Sequence, residues 1–370
     1  MRRAVLLLMT VALLVVSCTS TPGGTAANSP SRTIDIKRTR LDIVYSAFVD
    51  EDVHHVTSKK ALEAALEAVK AAVRAAGGKD DVATPQFQDV DEPQIADFNK
   101  FADAVSLLAG RVQLSSERIA NAALVGMLST SPDCHTFYVS AGGGGIQSRP
   151  VAPKGSSAII PTQGTSLGGP DEAGLTGRML PGGIAYITFR DWMMTGTYHL
   201  DETVRAILDK AVAQGAKAWL FDFRGNPGGY LVDFSSFFLN GEPTRGRVVK
   251  TGNGGISTSN TDLRLPEAYQ LPIAIIANDR TASAPEHFIL DLKEGKRATL
   301  VGQKTYGCLG AAIETHLPDG GLLSVVVEEE IGGTSGARYN NVGIPPDVLA
   351  DDPTAVAKAI EILNQKIAAR

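Results

Sequence analysis

From residue 184 onward the chain alternates short, dense apolar runs with amphipathic stretches, and this alternation limits the folds open to it. IAYITF (184–189) reads as a buried strand and LDETVRAILDKAVAQGA (200–216) as a helix with an apolar stripe. KAWLFDF (217–223) is strand-like again, and LPIAIIAN (271–278) is a near-continuous β-branched run. A run without polar alternation fits a strand covered on both faces. APEHFILDLKEG (284–295) and a last segment over about 353–368 are helical. Strands that alternate with helices predict an α/β core with parallel pairing. With 370 residues, 44% of them hydrophobic, the chain can bury a sizeable core. No internal repeat is visible.

Residues 34–130 carry helical periodicity instead. SKKALEAALEAVKAAVRAAGG (58–78) opens with Ser58 as a cap and puts Leu62, Ala65, Leu66, Val69 and Val73 on one face; Gly77 ends it. Its KALEAALEAVKAAV stretch reads as a packing face, not a membrane helix. Further helices are expected over about 93–109 and 115–129. Residues 141–182, with GGGG at 142–145, read as an irregular connector.

The N-terminus looks like an export leader. Arg2 and Arg3 precede an apolar run, Ala4 to Val16, that only Thr10 interrupts. Such a run is short for a membrane span, which needs about 20 residues, but suits a secretory signal. Val15, Val16 and Ser17 then lead into Cys18, which resembles the lipobox of bacterial lipoproteins. The expectation is a signal peptide over 1–18, lipidation at Cys18 and attachment to the extracytoplasmic face of the cell membrane. Residues 19–33, rich in Ser, Thr, Pro and Gly, would be a flexible tether. The helical region would then span 34–140 and carry a histidine loop, followed by the connector at 141–182 and the α/β core at 183–370. A formal charge of −5, or −7 once Arg2 and Arg3 are removed, argues against a nucleic-acid module. Six histidines and three cysteines, without C-x-x-C or H-E-x-x-H, leave little material for a zinc site, and no metal is expected.

Three segments could carry chemistry. In IIANDRTASAPEHF (275–288) a buried strand ends and Ser283 stands at a helix start, where free amides and the helix dipole favour negative charge. Taken alone, Ser283 or Thr281 could be no more than a helix cap. DFRGNPGGYL (222–231) puts consecutive glycines after a strand and before another helix, a turn able to aim backbone N–H groups at an oxyanion. GMLSTSPDCHTFYVS (126–140) places His135 after an apolar helix. Together the three supply a nucleophile, oxyanion donors and a base, which is the minimum set for acyl transfer.

These motifs, in this order, resemble those of the carboxyl-terminal processing (tail-specific) serine peptidases, a family that includes tricorn-core and interphotoreceptor-retinoid-binding-protein-like members. The family's D-P-H-T-x-Y resembles Asp133-Cys134-His135-Thr136-Phe137-Tyr138, and D-x-R-x-N-x-G-G resembles Asp222, Arg224, Asn226, Gly228 and Gly229. The nucleophile segment corresponds to Ala282-Ser283-Ala284-Pro285-Glu286. G-x-x-T-x-G corresponds to Gly302, Thr305 and Gly307, and G-I-x-P-D to Gly343, Ile344, Pro346 and Asp347. The resemblance implies a ClpP/crotonase-like β-α superhelical core behind a helical N-terminal domain. It also implies Ser283 as nucleophile and Gly228 or Gly229 with Ala284 as oxyanion donors.

The chain departs from the family in several places. Where many members carry the lysine of a Ser–Lys dyad, this chain has Cys308, so the resemblance points to the histidine-using branch, with His135 as base. The position of the branch's glutamate looks like Asn340 or Asn341. An amide can orient an imidazole but cannot stabilise imidazolium by charge, so reduced basicity is expected. About 48 residues separate His135 from the strand at Ile184, too few for the family's PDZ domain, which is expected to be absent. Recognition of substrate ends would then fall to the helical segment and the core groove. Cys134 and Cys308 both replace residues flanking the inferred site. If the family geometry holds they meet in one pocket, as a disulfide, as free thiols, or in a thiol-nucleophile or metal role.

Other residues have plainer readings. His287, one turn after Ser283, is the second candidate base, and His54 and His55 read as solvated. Trp192, Met193 and Met194 read as core, with a substrate groove as the other option.

The expected function is that of a lipid-anchored serine endopeptidase acting on peptide or protein substrates without a cofactor. The alternative is a catalytically weak peptide-binding or scaffold lipoprotein with the same fold. A crotonase-like CoA enzyme would share the oxyanion chemistry, but export makes CoA substrates a poor fit. Nothing in the sequence sets the oligomeric state.

Overall fold

The computed structural model describes residues 31–33, 40–147, 160–266 and 270–370. The leader, Cys18 and most of the expected tether lie outside them. The last tether residues are not irregular: β1 (Ser31–Thr33) pairs in parallel with a strand at 310–316. Backbone pairing to a sheet edge needs no side-chain pattern, so composition could not reveal it.

Four helices follow: α1 (Arg40–Glu51), α2 (Ser58–Ala75), α3 (Ile95–Ala109) and α4 (Ser116–Leu128). The α2 face expected from periodicity is the one buried, with Leu62, Ala65, Leu66, Val69 and Val73 inaccessible to solvent. Each of its larger apolar side chains contributes roughly 1.5–3 kcal/mol. The cap is shifted by one residue. Thr57 accepts the Lys60 N–H, while Ser58 is buried against the Tyr45 hydroxyl at 2.6 Å. Among the described residues no helix is long and apolar enough to cross a membrane.

The segment expected as an irregular connector, 141–182, contains strands at 145–147, 165–168 and 176–180, the first of them pairing with a strand just before the segment. β2 (Phe137–Val139) and β3 (Gly145–Gln147) form one antiparallel pair, and β4 (Thr165–Gly168) and β5 (Thr176–Leu180) form another. These strands span three to five residues, too short for period-two alternation to stand out among the glycines. Among the described residues of 141–182 they are the only regular structure.

The core continues with β6 (Ile184–Thr188), α5 (Leu200–Ala213), β7 (Ala218–Asp222), β8 (Pro243–Val249), β9 (Gly252–Thr258) and β10 (Ile273–Ala277). It closes with α6 (Ala284–Glu294), β11 (Ala298–Gly302), β12 (Gly310–His316), β13 (Leu322–Gly332), β14 (Val348–Leu349) and α7 (Ala355–Ala368). One seven-stranded sheet has the order β14-β11-β10-β7-β6-β5-β4. Its β14-to-β6 portion is parallel, as strand–helix alternation predicts, while β5 and β4 are antiparallel additions. Aromatic and aliphatic side chains pack with α5 and α6 on one face, and α7 covers the other. The helix expected soon after the glycine turn is only a short 3₁₀ segment, Ser235–Phe238.

A second, largely antiparallel sheet is built on β13, which pairs with β12, β2 and β8. The N-terminal helices pack on it: Leu317, Leu323 and Val325 share a core with Leu62, Phe101 and Leu124. The helical region and the end of the chain are therefore one packed body. That body holds the histidine loop against β13, where the Ser324 hydroxyl donates to the His135 carbonyl at 2.8 Å.

Candidate active site

Ser283 sits where β10 passes through a tight turn into α6, with φ 63° and ψ −123°. Left-handed backbone at a non-glycine residue is strained and needs support. Glu286, fully buried one turn on, provides it. One carboxylate oxygen accepts the Ser283 N–H at 2.9 Å and the Cys308 N–H at 2.7 Å, and the other accepts the Gly307 N–H at 2.7 Å and the Thr305 hydroxyl. Burial pushes the Glu286 pKa up against these donors, and the net direction is upward. The Ser283 hydroxyl faces across the site and lies 3.0 Å from His135 Nε2.

His135 comes from the loop between α4 and β2. Its Nδ1 lies 3.0 Å from Asp133 Oδ1, which also accepts the His135 backbone N–H at 2.7 Å. Asp133 is fully buried, and its far oxygen accepts a 2.6 Å hydrogen bond from Asn340 Nδ2. Burial alone would raise the Asp133 pKa, yet hydrogen bonding to His135 holds it down to about 2. Burial lowers the His135 pKa, but the Asp133 carboxylate outweighs it and the imidazole titrates above its ordinary value. The His135 side chain keeps 23% of its exposure, which leaves the site open to a ligand.

The expected orienting role of Asn340 is therefore corrected. Asn340 acts on Asp133 and not on the ring, and its Oδ1 accepts the Leu309 N–H at 2.9 Å. The Asn341 N–H donates to the Gly307 carbonyl at 2.8 Å. The charge behind the imidazole comes from Asp133, which is present in the D-C-H motif but has no expected role there. A residue two positions before the histidine folds back onto it only through this loop's turn. The expectation of reduced basicity falls with that correction, since Asp133 raises the His135 pKa.

The glycine turn is set by the other motif residues. Asp222 accepts from Arg224 Nε at 2.9 Å and Nη2 at 2.6 Å, and Tyr186 donates to it at 3.0 Å. Asn226 donates to the Phe189 carbonyl at 2.9 Å and accepts the Gly228 N–H at 2.9 Å. The expected Gly228 donor is thus already engaged, a second correction. The Gly229 N–H has no hydrogen-bond partner among the described residues. Ala284 opens α6, where an N–H has no acceptor within the helix. Both glycines are required sterically. A Cβ on Gly228 (φ 98°) would lie 2.6 Å from Ser283 Cβ, and one on Gly229 (φ 145°) 2.3 Å from the Trp192 carbonyl oxygen.

A disulfide joins Cys134 to Cys308, 174 positions apart in sequence, with Cα atoms 6.0 Å apart. His287 is not placed to act as base. Its Nδ1 meets Glu330 and lies 3.3 Å from Arg245 Nη1, in a buried charge cluster with Asp291. His54 is partly buried against Asp52 at 3.2 Å rather than solvated, and its pKa is raised as that carboxylate outweighs burial; His55 is exposed beside Asp91. Trp192 is core, stacked on Phe234 with centroids 5.2 Å apart, and Met193 and Met194 pack beside it.

A serine on a strained turn, an imidazole within hydrogen-bond reach and a buried carboxylate behind it form the serine-hydrolase arrangement. Residues 183–350 match the model of peptidase family S41, which places this part of the chain among the S41 peptidases. The chain is 35% identical over 151 residues to a Staphylococcus aureus protein named "Probable CtpA-like serine protease", a match covering 39% of this chain and 29% of that protein. It is 31% identical over 151 residues to a carboxyl-terminal-processing protease of Synechocystis, covering 38% of this chain and 32% of the relative. The matches thus span under a third of each relative's length. In fold, the chain is similar to a lipoprotein from Streptococcus agalactiae, with a TM-score of 0.50 and 17% identity, over 84% of this chain and 97% of that one.

Proposed function

We propose that this chain is a serine peptidase that cleaves peptide bonds in protein or peptide substrates through an acyl-enzyme. The observation that carries this reading is the 3.0 Å contact between Ser283 Oγ and His135 Nε2, backed by Asp133 on the other ring nitrogen. Asp133 fixes the tautomer with hydrogen on Nδ1, so the Nε2 lone pair faces the hydroxyl. Ser283 Oγ attacks the scissile carbonyl carbon as His135 Nε2 takes its proton. The Asp133 carboxylate stabilises the imidazolium, and the Gly229 and Ala284 N–H groups face the oxyanion. His135 then gives the proton to the leaving amine. A water, deprotonated by the same nitrogen, releases the acyl group from Ser283.

The basic leader and the Val-Val-Ser-Cys sequence ending at Cys18 support export and lipid anchoring, which would place the site on the extracytoplasmic face of the membrane.

The test is cleavage of casein or a peptide library by the wild type beside Ser283→Ala and His135→Ala. Activity confined to the wild type is the expected result. Equal activity in all three proteins would overturn the reading. Radiolabelled palmitate incorporation in a bacterial host, lost in Cys18→Ser, tests the anchor.

A further inference from the structure

The disulfide does more than join two loops, because both of its sulfurs lie against the imidazole of the base. Cys134 Sγ is 3.5 Å from His135 Nδ1, and Cys308 Sγ is 3.5 Å from Nε2 and 3.7 Å from Nδ1. One ligand atom from each of Cys134, His135 and Cys308 falls within 4.8 Å of the others. In a tetrahedral zinc site, Zn–S of about 2.3 Å and Zn–N of about 2.0 Å put neighbouring sulfur and nitrogen ligands about 3.5 Å apart. Cys308 Sγ and Nε2 already have that spacing. While the sulfurs are bonded to each other, neither is a thiolate and the set cannot hold a metal.

We infer that reduction of the Cys134–Cys308 disulfide creates an inhibitory site for a soft divalent cation, with Cys134, Cys308 and His135 as ligands. The inference rests on the peptidase reading of Ser283 and His135. A dithiol attacks one sulfur, forms a mixed disulfide and resolves it with its second thiol. It leaves oxidised to its own disulfide, and two electrons and two protons remain as the Cys134 and Cys308 thiols. Zn²⁺ then displaces the two thiol protons and binds both thiolates and His135 Nε2, with Ser283 Oγ or a water in the fourth position. Asp133 on Nδ1 is the kind of second carboxylate partner that supports a histidine ligand. The inhibition follows from one lone pair: Nε2 cannot hold zinc and also take the proton of Ser283. Both cysteines are only 5% exposed and packed with Ala282 and Tyr306, which keeps the sulfurs close once the bond opens.

The experiment measures bound metal directly. The purified chain is reduced with a phosphine, which takes up the oxygen of one water as the two thiols form. It is then equilibrated with Zn²⁺, desalted and assayed by mass spectrometry for zinc. One zinc per reduced chain is expected, with none in the oxidised chain and none in a Cys134→Ser/Cys308→Ser double variant. That variant also controls for Cys18. With Co²⁺ in place of zinc, His135→Ala should alter the visible ligand-field bands. Zinc in the reduced wild type no higher than in the double variant overturns the inference, as does loss of near-ultraviolet circular dichroism on reduction.

Labelling of Ser283 with a fluorophosphonate separates the two readings. The oxidised chain should label, the reduced zinc form should not, and a chelator should restore labelling. A zinc form that labels fully overturns the inhibition. Absence of labelling even in the oxidised chain overturns the peptidase reading while the zinc stoichiometry stands.

Discussion

Asn340 Nδ2 donates a 2.6 Å hydrogen bond to Asp133 Oδ2, the carboxylate oxygen that faces away from His135. The amide thus holds the residue that holds the base. A hydrogen bond to a buried charge contributes about 1.5–3 kcal/mol. Asn340→Ala should therefore lower kcat roughly 10- to 100-fold with little change in KM. Steady-state kinetics on a peptide substrate would check this, and a change confined to KM would contradict it.

Asp133→Asn tests the carboxylate itself. The amide can leave the hydrogen on the wrong imidazole nitrogen and supplies no charge, so kcat should fall by about 10³- to 10⁴-fold, the scale known for that change in other serine triads. Circular dichroism should remain close to wild type, which separates lost chemistry from lost fold.

The pH profile follows from the same pair. His135 must be neutral to accept the Ser283 proton, and Asp133 raises its pKa above 6.5 in spite of burial. Activity should rise with pH through a midpoint above 6.5 in the wild type. In Asp133→Asn the largest of the raising influences is gone, and the midpoint of any residual activity should move to lower pH. For stability the sign is opposite on the acid side. Asp133 falls from 3.8 to about 2 on folding, so its contribution is complete above pH 3.8 and is lost as pH drops toward about 2. Thermal unfolding across that interval should show the slope, and Asp133→Asn should flatten it.

Glu286→Gln should destabilise the whole site. Four donors converge on two carboxylate oxygens, and an amide must turn its NH₂ toward two of them. The expected loss is roughly 3 kcal/mol of folding stability, read by denaturant unfolding. A neutral result would show that the 305–308 loop is held by something else.

Gly228→Ala brings a methyl within 2.6 Å of Ser283 Cβ and 2.7 Å of the Ala282 carbonyl oxygen. Since neither backbone can retreat easily, Ser283 should be pushed off His135 and activity should fall at least 100-fold by the cost of a small misplacement. Fluorophosphonate labelling rates would report it directly.

The sequence disclosed the participants better than their arrangement. Ser283, His135 and the Cys134–Cys308 pair were legible because each sits in a short motif whose residue types serve chemistry. Asp133 is not legible as a functional residue, because its value depends on a two-residue fold-back that periodicity does not encode. Gly228 looked like an oxyanion donor until Asn226 was seen to occupy its N–H. In the fold, the parallel strands from β6 onward announced themselves through unbroken apolar runs. The short β1, β4 and β5 did not, since backbone pairing alone defines them.

The sharing of one core between the N-terminal helices and β13 has a practical meaning for dissecting the protein. The family-matched stretch, 183–350, contains Ser283 but neither His135 nor Asp133. Cut at those limits, the chain would lose its proton acceptor and half of its cystine, and β13 would lose the helices that cover it. The smallest functional unit is accordingly wider than the recognisable domain, and any truncation meant to retain chemistry has to begin ahead of α1.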